Sequence, residues 1–165
     1  MTKRRFTAMN KKTIKTMKRL SLVLLFFVAV AGFACLQAKN AGVEIPFEQL
    51  PMKAQTLVND CYKGLTVKKA MQKTTDGLTV YEVRMSDKTI IEFDMVGAWN
   101  YIKSKKSDIP NSVYPRKLKK TIDNDFVGKR GKYAENDGLN YTIQFKDGSS
   151  AKFNAIGDVI EVVEK

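Results

Sequence analysis

Glu82, Glu92 and Asp94 are the residues of this chain with the plainest capacity for chemistry. Glu92 and Asp94 stand two apart in a run that alternates apolar and polar residues, so both project from one face of an extended strand. Glu82 falls on the strand before it. Three carboxylates gathered there allow a calcium site or, with one held protonated near neutral pH, a general acid. They equally allow a solvated sheet face on which Arg84 and neighbouring lysines offset the acids. Carboxylates carry this weight because the chain contains no histidine, which removes His-based triads and His metal sites. Its two cysteines, Cys35 and Cys61, are too few for a thiolate zinc site. Gly128-Lys129-Arg130-Gly131 lacks both the spacing and the trailing Lys-Ser/Thr of a phosphate loop. The expectation is a protein without catalytic residues, metal or cofactor.

The elements that would position these carboxylates are written twice. YEVRMSDKTIIEFD at 81–94 is answered by YTIQFKDGSSAKFN at 141–154, with Tyr81 matching Tyr141, Asp87 matching Asp147 and Phe93 matching Phe153. In each, an alternating strand (Tyr81, Val83, Met85; Tyr141, Ile143, Phe145) runs into a turn and a returning strand, 89–94 or 150–154. Asp147-Gly148 suits a two-residue hairpin with positive φ at both central positions, while Asp87-Lys88 promises a looser or different turn. Asp94 and Asn154, each three residues before a glycine, suit turns closed through their own side chains. A last strand follows, 98–103 or 158–163, and a weaker one precedes each hairpin near 66–72 and 129–134.

Ahead of each set lies a helix opened by proline. After Pro51, Ala54, Leu57, Val58, Cys61 and Tyr62 recur at helical spacing; after Pro115, Leu118, Ile122 and Phe126 do so in a narrower stripe, which predicts the less buried helix. Arg116, Lys117, Lys119 and Lys120 then form the wet side of the second helix. The fold class is α+β: a tandem repeat of one helix plus about four antiparallel strands, helices on one face of the sheet. Each copy alone buries little core, so the two are expected to pack together through a polar connection at 104–111. Trp99 and Tyr101 are expected on one face of the last strand of the first copy, as core or as contact residues.

The net charge of +12 points toward nucleic acid until the charges are located. Residues 1–38 hold eight of the 29 basic groups and no acid, which leaves 21 basic against 17 acidic groups, or +4. A basic stretch ending at Lys18-Arg19, an apolar run at 22–31 and small residues after it have the layout of a secretory signal. The core at 20–34 is shorter than the roughly 20 residues a spanning helix needs. Cleavage after Ala38 leaves a periplasmic or secreted chain with no stable membrane insertion; the alternative is a lipoprotein anchored at Cys35. Cys61 is then a lone thiol, expected as a small buried residue. Nucleic acid is not an expected partner.

Leu50-Pro51 opening a helix, Tyr81-Glu82-Val83, and Ile91-Glu92-Phe93-Asp94 followed by Gly97 and Trp99 resemble the PepSY-like, or beta-lactamase-inhibitor-like, family of exported bacterial proteins. The resemblance covers 46–163 and implies an envelope location. It also implies a fold similar to beta-lactamase inhibitory protein, with helices on one sheet face and the other face open. No catalytic residues are implied. Residues 1–38 are thus read as signal peptide, 39–108 as the first PepSY-like repeat and 109–165 as the second. The expected function is a non-catalytic exported binding module, with an inhibitor-like role among its possibilities, that meets an envelope protein or peptide through the open face. The residues expected there are Glu82, Arg84, Glu92 and Asp94 in the first half, with Thr142, Gln144, Lys152 and Asn154 in the second. A small carboxylate-dependent enzyme and a lipid-anchored structural protein are the alternatives.

Overall fold

Proline sets the start of both helices. Pro51 and Pro115 stand at the N-caps of α1 (Met52–Cys61) and α2 (Arg116–Asp125), each with φ −54°. A short 3-10 turn precedes each, Phe47–Gln49 and Asn111–Val113. The computed structural model describes residues 42–165; the expected signal segment, its expected cut after Ala38 and Cys35 lie outside the described residues. α1 buries Ala54 and Val58, α2 buries Leu118 and Ile122, and the residues that end them, Tyr62 and Phe126, are buried too. Leu57 and Cys61 add a half-buried margin to α1, so its stripe is the wider one. Cys61 is half-buried rather than enclosed and lines a shallow groove along α1 with Met52 and Leu57.

The strands are β1 (Val43–Ile45), β2 (Val67–Thr75), β3 (Leu78–Met85), β4 (Ile90–Phe93), β5 (Trp99–Lys103), β6 (Gly131–Asn136), β7 (Asn140–Phe145), β8 (Ser150–Asn154) and β9 (Val159–Val163). They form one antiparallel sheet whose spatial order is their order in the chain. β1 was not expected: three residues carry too little alternation to announce a strand. The pairing of β5 with β6, Ile102 opposite Ala134, makes one sheet of the two halves. The expected polar connection is partly buried, with Ser104 and Ile109 almost inaccessible.

A single core lies between the helices and one sheet face. Val83, Met85, Ile91, Phe93, Ile102, Ile143, Phe145 and Phe153 point into it from the sheet, with Tyr81 and Tyr141 packed at its border. Phe126 stacks on Phe145, with ring centroids 5.4 Å apart, and meets Phe153 edge-on.

Two expectations about turns are corrected. The hairpins at Asp87 and Asp147 are alike, and neither has two central residues at positive φ. In the first, the Lys88 N–H donates to Met85 O and Met85 N–H to Thr89 O; in the second, Gly148 and Phe145 do the same to Phe145 and Ser149. Only Lys88 (φ 69°) and Gly148 (φ 92°) are left-handed. This is a three-residue connection, a type I turn followed by one left-handed residue. Asp87 and Asp147 hold it by accepting from the backbone N–H of Thr89 and Ser149, each at 2.9 Å.

Trp99 and Tyr101 do not share a face. Phe93 pairs with Trp99 while Glu92 pairs with Tyr101, so Asn100 is an extra residue in β5. That bulge returns Trp99 to the core and turns Tyr101 to the opposite side. The Trp99 indole N–H donates to Val113 O at 3.2 Å, and its ring packs against Tyr114 and Tyr141. Ile160 is the matching extra residue in β9.

Candidate interaction face

The sheet face away from the helices carries two rows of side chains running across the strands. Direct cross-strand partners place Glu44, Met71, Glu82, Glu92, Tyr101, Glu135, Thr142, Lys152 and Glu161 in one line, one residue from each strand. Successive members are about 4.8 Å apart along the sheet. The adjacent line holds Lys69, Arg84, Ile90, Lys103, Tyr133, Gln144, Ser150 and Val163. The first line has five carboxylates and one lysine, whereas the second has three cations and no acid. An acidic stripe therefore runs beside a basic one, most strongly in the first half.

Glu82 and Glu92 face each other directly, an arrangement that like charges resist. Lys73 resolves it. Its ammonium bonds to Glu82 and lies 3.9 Å from Glu92 Oε1, while Arg84 Nε donates to the other Glu82 oxygen. Glu82 was expected on a solvated face; it lies on that face but is only 3% exposed, covered by these two long side chains. Burial alone would raise its carboxyl, yet the hydrogen bonds from Lys73 and Arg84 outweigh it and hold Glu82 below the usual glutamate range. Glu92 shifts the other way: burial pushes it up, the Lys73 charge pulls it partly back, and the charge and hydrogen bonding of Glu82 add to the rise.

Tyr101 sits between Glu92 and Glu135 at the seam of the two halves. Its ring meets Tyr133 edge-on at 5.2 Å, and the Tyr133 hydroxyl donates to Glu135 Oε2 at 3.0 Å. Burial, then this hydrogen bond and the Glu135 charge, push Tyr133 up to about 12. Tyr101 rises by burial and by the charges of Glu92, Glu135 and Glu82. Two half-exposed aromatic rings flanked by carboxylates make a place for a cationic or amphipathic side chain.

The expected face residues divide in three. Glu82, Glu92, Thr142 and Lys152 fall in the first line, and Arg84 and Gln144 in the second. Asp94 and Asn154 instead serve turns. Asp94 Oδ1 accepts from Val96 N–H at 3.0 Å and Ala98 N–H at 2.8 Å; Asn154 Oδ1 accepts from Ile156 at 3.1 Å and Asp158 at 2.9 Å. The three carboxylates weighed for calcium are thus not brought together, and an ammonium stands between two of them. Among the described residues no group of three metal-ligating side chains is gathered at one point. Lys73, Tyr133 and Glu135 were missed as face residues. Lys73 falls just past the predicted strand, whereas Tyr133-Ala134-Glu135 does alternate and was readable. No helix among the described residues is long and apolar enough to cross a membrane.

No curated protein matches the chain. Among solved structures it is similar to a "putative periplasmic protein" from Bacteroides vulgatus at 26% identity and TM-score 0.67, over 75% of this chain and 98% of that one. A "putative calcium-regulated periplasmic protein" from Bacteroides thetaiotaomicron shares the fold at 21% identity and TM-score 0.66, over 73% and 95% of the two chains. The family model described as "Putative beta-lactamase-inhibitor-like, PepSY-like" matches residues 79–161, which run from the first hairpin through the seam to the last strand. The chain belongs to this PepSY-like family.

Proposed function

We propose that this chain is a non-catalytic periplasmic binding module that engages an envelope protein or peptide through its open sheet face. The observation that carries this reading is the paired acidic and basic lines, centred on Tyr101 and Tyr133 and covered by no element of the described chain. A sheet face that served only as a solvated surface needs no aromatic pair at its middle. The charge lines supply orientation, since a partner laid across the strands meets acids on one side and cations on the other. The tyrosines supply contact area that loses little side-chain freedom.

The reading extends to the chain's origin and processing. The two halves are two copies of one helix-and-hairpin unit, as in beta-lactamase inhibitory protein, and residues 1–38 are a signal removed at export. The helix offset of 64 and hairpin offset of 60 support the duplication. So does the recurrence of the same Asx-glycine turn and bulge in both halves. Inhibition of an enzyme is one form such binding can take.

A photo-crosslinking residue placed at Tyr101, in the exported protein in living cells, tests the face directly; the same residue at Asn59 on the exposed side of α1 is the control. A discrete crosslinked partner from Tyr101 alone is the expected result. Reversing the charge of Glu92 and Glu135 together should then remove it while the melting temperature stays nearly unchanged. Asp94 is unsuitable for this experiment because its carboxylate holds a turn. Equal crosslinking from both sites, or none from Tyr101, would sink the proposal.

A further inference from the structure

β9 is a largely apolar free edge, relieved by one charge, Glu161, and the bulge at Ile160. Val159, Ile160, Val162 and Val163 are 41, 53, 44 and 52% exposed, and Ile156 in the preceding turn is 55% exposed. No lysine or proline interrupts Val159–Val163, and among the described residues no strand lies beyond it. Natural edges are usually blunted by charge, proline or brevity, as β1 is by its three residues, Glu44 and the following Pro46.

β5 shows what the same element does when it is covered. It follows the same Asx-glycine turn and carries the same bulge, but its other side pairs with β6 and its core residues Trp99 and Ile102 are 6 and 0% exposed. β9 presents Val159 and Val162 at those places without a neighbour.

We propose that the free side of β9 pairs antiparallel with β9 of a second copy of this chain, joining the two sheets through a two-fold axis. The hydrogen-bonding phase of the strand gives the register. Ser149 O is taken by Phe145 N–H across β7, so Ser150 and Lys152 direct their backbone groups to β9, where they pair with Val163 and Glu161. The backbone groups of Val162 therefore point outward. An axis at Val162 sets Val162 opposite its own copy and Glu161 opposite Val163 of the second copy. No like charges stand directly opposite. Glu161 then lies diagonal to Lys165 of the second copy on one side and to that copy's Glu161 on the other, so each like-charge diagonal is flanked by two opposite-charge ones. Val159 and Val162 from the two copies adjoin at the core margin.

A two-fold pair closes on itself, whereas pairing β9 with β1 of another copy would propagate. The differing construction of the two edges favours closure. A contact of about five residues per copy lies below the roughly 1,200 Å² of a stable interface, so the dimer is weak and reversible. It leaves the Tyr101–Tyr133 site free and does not depend on the function proposed for that site.

Sedimentation velocity of the exported protein over a wide concentration range tests it. A monomer–dimer equilibrium is expected, weakened about tenfold or more by V162K, which places two ammonium groups face to face. V162P should do likewise without unfolding the chain, because the N–H it removes faces outward. E161K should weaken the dimer, and E161K/K165E should restore it. A monomer at every concentration overturns the proposal. So does a dimer that survives both V162K and V162P with melting temperatures retained, or one indifferent to the Glu161–Lys165 exchange.

Discussion

β5 and β9 follow the same turn with the same bulge, yet one is interior and the other marginal. The first presents Trp99 to a pocket formed by Val113, Tyr114 and Tyr141, all supplied by the second half. The second presents Val159, which stays 41% exposed. The glycine turn and bulge thus place a side chain at the core's margin whatever its identity, and the neighbouring unit decides whether a large one is worth having there. Residues that shape the turn are shared by the halves; residues that fill what the turn creates are not.

The largest effect that sharpens this contrast is at Trp99. Trp99→Ala should cost about 4 kcal/mol through lost packing and an emptied site, while Val159→Ala should cost about 0.5 kcal/mol, both by denaturant unfolding. Comparable costs would show that β9 is covered after all.

Next come the glycines of the shared turn. A Cβ on Gly157 would stand 2.5 Å from Leu118 N, and φ there is +94°. On Gly97 it would meet Pro51 Cβ at 2.8 Å and Ala54 N at 3.0 Å, with φ +82°. Each turn is pressed against the first turn of its helix. Gly157→Ala should cost about 3 kcal/mol and Gly97→Ala nearly as much, since backbone strain and close approach combine. Thermal unfolding measures both, and a negligible loss at either would mean that its turn can move away from the helix.

The acid response should separate the halves. Glu82 and Glu92 occupy the positions that Thr142 and Lys152 hold in the second half. Because the folded state lowers the Glu82 pKa, its contribution is complete above the ordinary glutamate value and is lost as pH falls through the depressed one. Glu92, with a raised folded pKa, works oppositely: ionised at neutral pH it opposes folding, and acidification through its raised value relieves that. Glu82→Gln should therefore cost about 1–2 kcal/mol at neutral pH, with the difference from the parent shrinking in acid. Glu92→Gln should be neutral or slightly stabilising at neutral pH. Unfolding curves from neutral to acid pH check both signs, and a large loss from Glu92→Gln would contradict the assignment.

The smallest effect lies in the hairpins. Lys88 takes the left-handed conformation that Gly148 takes freely, so Lys88→Gly should raise stability by about 0.5 kcal/mol and Gly148→Lys should lower it. Reversed signs would mean that the two turns are held by different forces.

Much of this architecture was legible in the sequence where each residue's role depends on its near neighbours. Val83, Met85, Ile143 and Phe145 alternate, Leu118 and Ile122 recur at helical spacing, and both patterns report faces directly. Trp99 and Tyr101 were misplaced because a one-residue bulge reverses every later side chain, and nothing at Asn100 announces it. The face was readable in its alternation but not in its charge balance. That balance depends on Lys73 crossing from a neighbouring strand to Glu82 and Glu92, and on the pairing of β5 with β6, which sets Tyr101 beside Glu135. Such juxtapositions arise from register between strands, which local periodicity does not encode.

The order of the sheet also bears on how a chain made from one end acquires it. Strands β1 to β9 lie in the order of the chain, so each newly made strand adds to the one made just before it. No early segment must wait, with its backbone unpaired, for one that emerges last. The longest waits are the two helix-containing connections, from β1 to β2 and from β5 to β6. A topology of this kind has low loop-closure cost at every step and few stages at which an apolar strand edge stands open to other unfolded chains. Synthesis from the N-terminus thus matches the sheet strand by strand.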